Sequence, residues 1–154
     1  MNDNHEKISI QLADFNAGEE INLLEHDNSS DGAVVTFTGR VRAQNDGETV
    51  TGLYLEHYPG MTEHALSQII SKAKSRWSIQ RITVIHRIGQ LAIGDNIVFV
   101  GVSSAHRKDA FAGAEFIMDF LKVDAPFWKK ETRADGDMWL DAKSTDQNKA
   151  SEWQ

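Results

Sequence analysis

Apolar positions change their spacing several times along this chain, and each change marks an element. Residues 7–15, "KISIQLADF", read as an opening strand. The polar connection that follows ends in "HDNSSDG", and its Asn, Asp, Ser and Gly content marks a loop. Residues 32–42, "GAVVTFTGRVR", are rich in β-branched side chains and predict a strand. "AQNDGE" is a turn. Over residues 49–58 the period is two, which puts Leu53, Leu55 and His57 on one face and Tyr54, Glu56 and Tyr58 on the other.

Pro59 and Gly60 end that strand. Leu66, Ile69, Ile70, Ala73 and Trp77 then fall on one helical stripe. Residues 81–88 predict a strand, and "GQLAIGDN" a loop that turns at Gly94 and Asp95. Residues 97–104 are nearly all apolar, as a central strand covered on both faces is. Ala110, Phe111, Ala114, Ile117, Met118 and Leu121 form a second helical stripe. Ser103 or Ser104 is its expected cap, and Pro126 marks its end. "PFWKKET" and "DMWLDA" predict a hairpin around "RADGD". Hairpins mixed with two main helices indicate a single α+β domain with an antiparallel or mixed sheet, over residues 1–141. Residues 142–154 read as a polar, mobile tail apart from Trp153.

Composition narrows the possible functions. The 154 residues suit one core, and no apolar run approaches the ~20 residues of a membrane span. The N-terminal stretch has no secretory h-region. A net charge of -7 argues against a broad nucleic-acid surface, so any anion site must be local. The chain has no cysteine, which removes disulfides, thiolate ligands and a thiol nucleophile, and fits the cytoplasm. His57, His64 and His86 show no metal-ligand spacing, and no metal site is expected.

Three local clusters of cations stand against that acidic background. In "SSAHRK", His106 and Arg107 sit at a helix N-terminus, where cations oppose the dipole and free N–H groups favour an anion. The alternative is an arginine reaching a surface carboxylate. In "TGRVR", Arg40 and Arg42 share a strand face and can clamp an anion, or merely be solvated. In "FLKVDAPFWKKE", Lys122 borders an apolar helical stripe, and Lys129 and Lys130 point to opposite faces of a strand. The turn at Pro126 can return Lys129 toward Lys122. Ammonium groups held close in a partly dry site release protons more readily, as acid, base or nucleophilic work requires. On spacing alone a solvated turn is the stronger reading.

Taken in order, "DGAVVTFTGRVR", "LYLEHYPGMTEHAL", "VIHRIGQLAIGD", "VFVGVSSAHR" and "FIMDFLKVDAPFWKKE" resemble one family, the catalytic (large) subunits of molybdopterin synthase, over roughly residues 31–139. The resemblance implies a sulfurtransferase of molybdenum cofactor biosynthesis. Such an enzyme inserts sulfur into cyclic pyranopterin monophosphate to make the dithiolene of molybdopterin. The sulfur would arrive as a thiocarboxylate on the C-terminal glycine of a small ubiquitin-like subunit, whose tail threads into a pocket. The resemblance further implies a homodimer of large subunits within a heterotetramer, no resident cofactor, and an α+β fold with a hammerhead-like β motif. It places the partner's thiocarboxylate at Lys122, and proton transfer or the pterin phosphate at Lys129. Its anion-binding positions fall on Arg40, Val41 through its backbone, Arg42, His106 and Arg107, with Lys130 and Glu131 beside Lys129. Two other readings stand beside it: a non-catalytic tail-binding module of the same fold, and a lysine Schiff-base enzyme on a small phosphorylated substrate.

Overall fold

The computed structural model describes residues 5–140 and 144–153. Its first sheet has the order β1 (His5–Gln11), β5 (Arg81–Arg87), β7 (Asn96–Ser104), β2 (Ala33–Arg40). β1 runs parallel to β5, while β7 is antiparallel to both its neighbours. Alternate residues of β5 and β7 serve two different cores. Ile82, Val84, Val98, Val100 and Val102 meet α2 (Met61–Arg76) and α3 (Arg107–Asp124) through Leu66, Ile70, Phe116 and Ile117. Ile85 and Phe99 point the other way, against Phe15 and Leu24. The uniformly apolar β7 is thus a central strand covered on both faces, as its composition predicts.

Leu24 belongs to α1 (Ala17–Glu25), which replaces the loop expected after β1. Its polar surface hides a short apolar stripe, Ile21 and Leu24. Asn16 caps it by accepting from the Glu19 N–H at 3.0 Å. At its other end the buried Arg81 guanidinium donates to the carbonyls of Leu23, His26 and Asp27 at 2.9, 2.6 and 3.2 Å. These long-range contacts are invisible to local patterning. Gly101 admits this helix: a Cβ there would stand 2.4 Å from Leu24 Cδ1.

The second sheet has the order β3 (Gln44–Asn45), β4 (Glu48–His57), β8 (Phe127–Arg133), β9 (Gly136–Leu140), and β6 (Gly89–Ala92) also pairs with β4. β6 corrects the loop expected for "GQLAIGDN"; only its second half turns, at Gly94. Four residues with one buried apolar side chain, Leu91, carry too little alternation to be recognised. Asp46 and Gly47, with φ of 51° and 81°, turn the chain from β3 into β4. Leu53 and Leu55 face a small core with Val41 and Leu91, as their alternation predicts.

Three further expectations change. Ser103 and Ser104 lie buried in β7, so neither caps α3; its N-cap is His106, without a side-chain bond. Ser104 Oγ instead donates to the Ser78 carbonyl at 2.6 Å. Phe111, placed on the apolar stripe of α3 by spacing, is 62% exposed, because the helix is covered only from Ala110 and Ala114 round to Leu121. Within the segment expected to be a mobile tail, Ser144–Ser151 forms α4, which packs on α3. The boundary expected at residue 142 lies outside the described residues. Trp153 anchors this end: its ring meets Trp77 and Phe116, its Nε1 donates to Asp119 at 2.7 Å, and its carbonyl accepts from Arg76 at 2.7 Å.

Candidate active site

Where the end of α3 meets the second sheet, the structure has a cavity of about 380 Å³. Arg40, Arg42, Lys122 and Lys129 all line it, with Glu131, Asn45 and the apolar Leu53, Ile97 and Phe127. Sequence separations of about 80 residues close here, because β8 returns along β4 directly after α3. Pro126 and the Ala125 C-cap stop the helix and start that return, so Lys122 in the last helical turn stands over the strand that carries Lys129.

Each group is held differently. Arg40 follows the register shift at the end of β2, and its Nε and Nη2 donate to the Gly94 carbonyl at 3.2 and 2.9 Å. Val41 is buried, and its N–H is already given to the Asp95 carbonyl at 2.9 Å. Its carbonyl likewise accepts from the Gly94 N–H at 2.9 Å, so the Val41 backbone is engaged within the fold where it lines the cavity. Arg42 Nη2 lies 3.4 Å from Asn45 Oδ1. Glu131 is only 4% exposed, and accepts from Asn45 Nδ2 at 2.5 Å and from Arg133 Nη2 at 2.6 Å.

Three expected site residues lie elsewhere. Lys130 points to the opposite face of β8, where it sits 5.1 Å from the centroids of both Tyr54 and Trp139 and 3.8 Å from Asp137. Alternation along the strand separates it from Lys129. His106 and Arg107 are exposed at the far end of α3. At 1.5 Å per residue, Arg107 is about 22 Å along the axis from Lys122. Within one chain the cavity therefore gathers Arg40, Arg42, Lys122, Lys129 and Glu131, and leaves His106, Arg107 and Lys130 outside.

Behind the cavity wall lies His86, noted from the sequence only as a histidine without metal-ligand spacing. It is buried, and its ring stacks on Phe127. Its Nδ1 is 2.8 Å from the Arg87 carbonyl. A carbonyl only accepts, so Nδ1 carries the proton and the neutral tautomer is set. Burial pushes its pKa down to about 3; the bond to the Arg87 carbonyl opposes this, and the charges of Lys129 and Lys122 add to it. Both ammonium groups thus act on one buried ring, which marks their convergence. Asn45 was also missed, because "AQNDGE" carries a turn signal that masks it. Thr145 and Asp146 of α4 complete the rim.

The arrangement can hold an anion and move a proton beside it. Four cationic side chains from β2, α3, β8 and the segment after β2 converge in a chain whose net charge is -7. Among the described residues, no group of three or more His, Cys, Asp or Glu is placed to hold a metal ion. Nor is any described helix long and apolar enough to cross a membrane.

Comparison with known proteins gives a consistent picture. The family described as "MoaE protein" matches residues 10–124. The "Molybdopterin synthase catalytic subunit" of Salmonella typhimurium is 55% identical over 147 residues, covering 96% of this chain and 97% of that protein. The solved "Molybdopterin biosynthesis MoaE protein from Burkholderia ambifaria MC40-6" superposes with a TM-score of 0.82 at 46% identity, over 96% of this chain and 97% of the other. The crystal structure of molybdopterin synthase from Staphylococcus aureus matches with a TM-score of 0.78 at 36% identity, over 86% of this chain and 96% of the other.

Proposed function

The chain belongs to the MoaE protein family, and on that premise we propose that it works as a molybdopterin synthase catalytic subunit. It moves sulfur from the C-terminal thiocarboxylate of a small ubiquitin-like subunit to cyclic pyranopterin monophosphate. The observation that carries this reading is the convergence of Lys122 and Lys129, from a helix end and a strand, on one cavity with Arg40 and Arg42.

The chemistry suits those groups. Both reactants are anions, and a local cationic cavity concentrates them in spite of the acidic net charge. The absence of cysteine means that sulfur must arrive already activated on another molecule. Lys122 receives the thiocarboxylate end of the partner's tail. Lys129, deeper on β8, holds the pterin phosphate or supplies a proton as oxygen leaves and the phosphate ring opens. Arg40, steadied by the Gly94 carbonyl, and Arg42 orient the phosphate. His106 and Arg107, remote from this cavity, serve an anion only if a second large subunit brings them to it, as in a homodimer within a heterotetramer. We place the reaction in the cytoplasm.

Reconstitution tests the reading. The protein, mixed with thiocarboxylated small subunit and cyclic pyranopterin monophosphate, yields molybdopterin, while the protein alone with the pterin yields none. No product from the complete mixture would overturn it.

A further inference from the structure

Resting on that reading, we propose that Asn45 and Arg133 are positioning residues of the cavity: together they hold the Glu131 carboxylate and set Arg42 toward the incoming anion. Lys129, Glu131 and Arg133 occupy alternate positions of β8 and so share one face. A carboxylate between two cations on one strand can serve either of them. Left unbalanced in the cavity wall, it would weaken the field that attracts an anion. The geometry assigns it to Arg133.

Arg133 places two donors on one oxygen, Nε and Nη2 at 3.0 and 2.6 Å from Glu131 Oε1. Its side chain is only 13% exposed, so this pair is shielded from solvent and stronger than a surface pair. Asn45 Nδ2 donates to the other oxygen, Oε2, at 2.5 Å. A carboxylate only accepts, so the amide group of Asn45 has one orientation, with Oδ1 directed away from Glu131. That oxygen faces Arg42 Nη2 at 3.4 Å. The result is a polar relay in which each donor meets an acceptor: Arg133, Glu131, Asn45, Arg42.

The relay has a fixed base. Asn45 pairs with Glu48 across the hairpin that Asp46 and Gly47 close, and it is itself buried at 9% exposure. Arg133 is the last residue of β8 and pairs with Gly136 across the next turn. Neither touches a reacting atom in this scheme. Arg133 balances the buried carboxylate of Glu131 in the cavity wall, and Asn45 passes that orientation to the exposed Arg42.

Steady-state turnover of the full chain with thiocarboxylated small subunit tests this, alongside thermal shift of the full chain with inorganic phosphate. Arg133→Met raises KM for the pterin about tenfold with much less change in kcat, since an anion-binding interaction is lost. The stabilisation by phosphate shrinks in parallel. Adding Glu131→Gln to Arg133→Met removes the released charge and recovers most of both losses. A pair that only braced the fold would lower the melting temperature without this split. Asn45→Ala leaves the Arg133–Glu131 pair in place and raises KM through Arg42; it carries the test if Arg133→Met does not fold. Wild-type KM and phosphate response in Arg133→Met and in Asn45→Ala would overturn the proposal, as would a double variant no better than the single. A wild-type chain that makes no product, yet shows this phosphate pattern across the variants, refutes the assigned reaction and supports the positioning role.

Discussion

The imidazole of His86 lies flat on the ring of Phe127, with centroids 3.8 Å apart and planes 17° from parallel. One ring is buried behind the sheet and the other lines the cavity, so the stack joins the core to the site. Its geometry depends on the imidazole staying neutral. The folded-state pKa of about 3 lies below the ordinary value of 6.5. Between those values the unfolded chain binds the extra proton, so this contribution to stability is complete above about pH 6.5 and is lost as pH falls toward 3. Urea midpoints between about pH 7 and pH 4 fall more steeply for the wild type than for His86→Gln, which cannot titrate. Equal slopes would contradict the burial argument.

Lys122→Ala lowers turnover about a hundredfold or more, the scale of a lost proton-transfer or anion-orienting group. Lys122 is exposed, so circular dichroism and melting temperature stay close to wild type. Turnover within a few-fold of wild type would remove Lys122 from the reaction.

Lys129 and its neighbour Lys130 separate the two faces of β8. Lys129→Ala abolishes most turnover. Lys130→Ala removes the contacts with Tyr54 and Trp139 and costs stability of about 0.5–1 kcal/mol, with turnover largely kept. Equal kinetic losses in the two variants would contradict the strand alternation on which the assignment rests.

Arg81→Met tests the tie between α1 and the first sheet. Several carbonyls at the helix C-terminus lose their donor, and charged hydrogen bonds of this kind contribute about 1.5–3 kcal/mol each before compensation. Denaturant unfolding shows a loss of at least about 2 kcal/mol, with the cavity unaffected because the Arg81 side chain is engaged with the end of α1 and does not line it. A loss below about 0.5 kcal/mol would show that α1 docks through Leu24 alone.

The strands and long helices were legible because their apolar spacing is strong and local. Residues 49–58 alternate cleanly, and Leu66, Ile69, Ile70 and Ala73 repeat with helical period. What escaped depends on partners distant in sequence. α1 is a polar segment until Arg81 caps it and Phe99 receives Leu24. β6 is a strand only because β4 lies beside it. The same distinction holds at the site. Lys122, Lys129, Arg40 and Arg42 stand out as cations in an acidic chain. Asn45, Arg133 and His86 do not, since their importance lies in which buried group each one faces.

β4 pairs with β8 across some seventy intervening residues, and β8 is among the last strands of the chain. β2 in turn pairs with β7, and Arg40 is held by the Gly94 carbonyl, so during synthesis that wall is not set until the chain has passed β7. The cavity is not complete until the final fifth of the polypeptide has arrived and β8 has closed against β4. A nascent or truncated chain that lacks β8 therefore lacks the wall that carries Lys129 and Glu131.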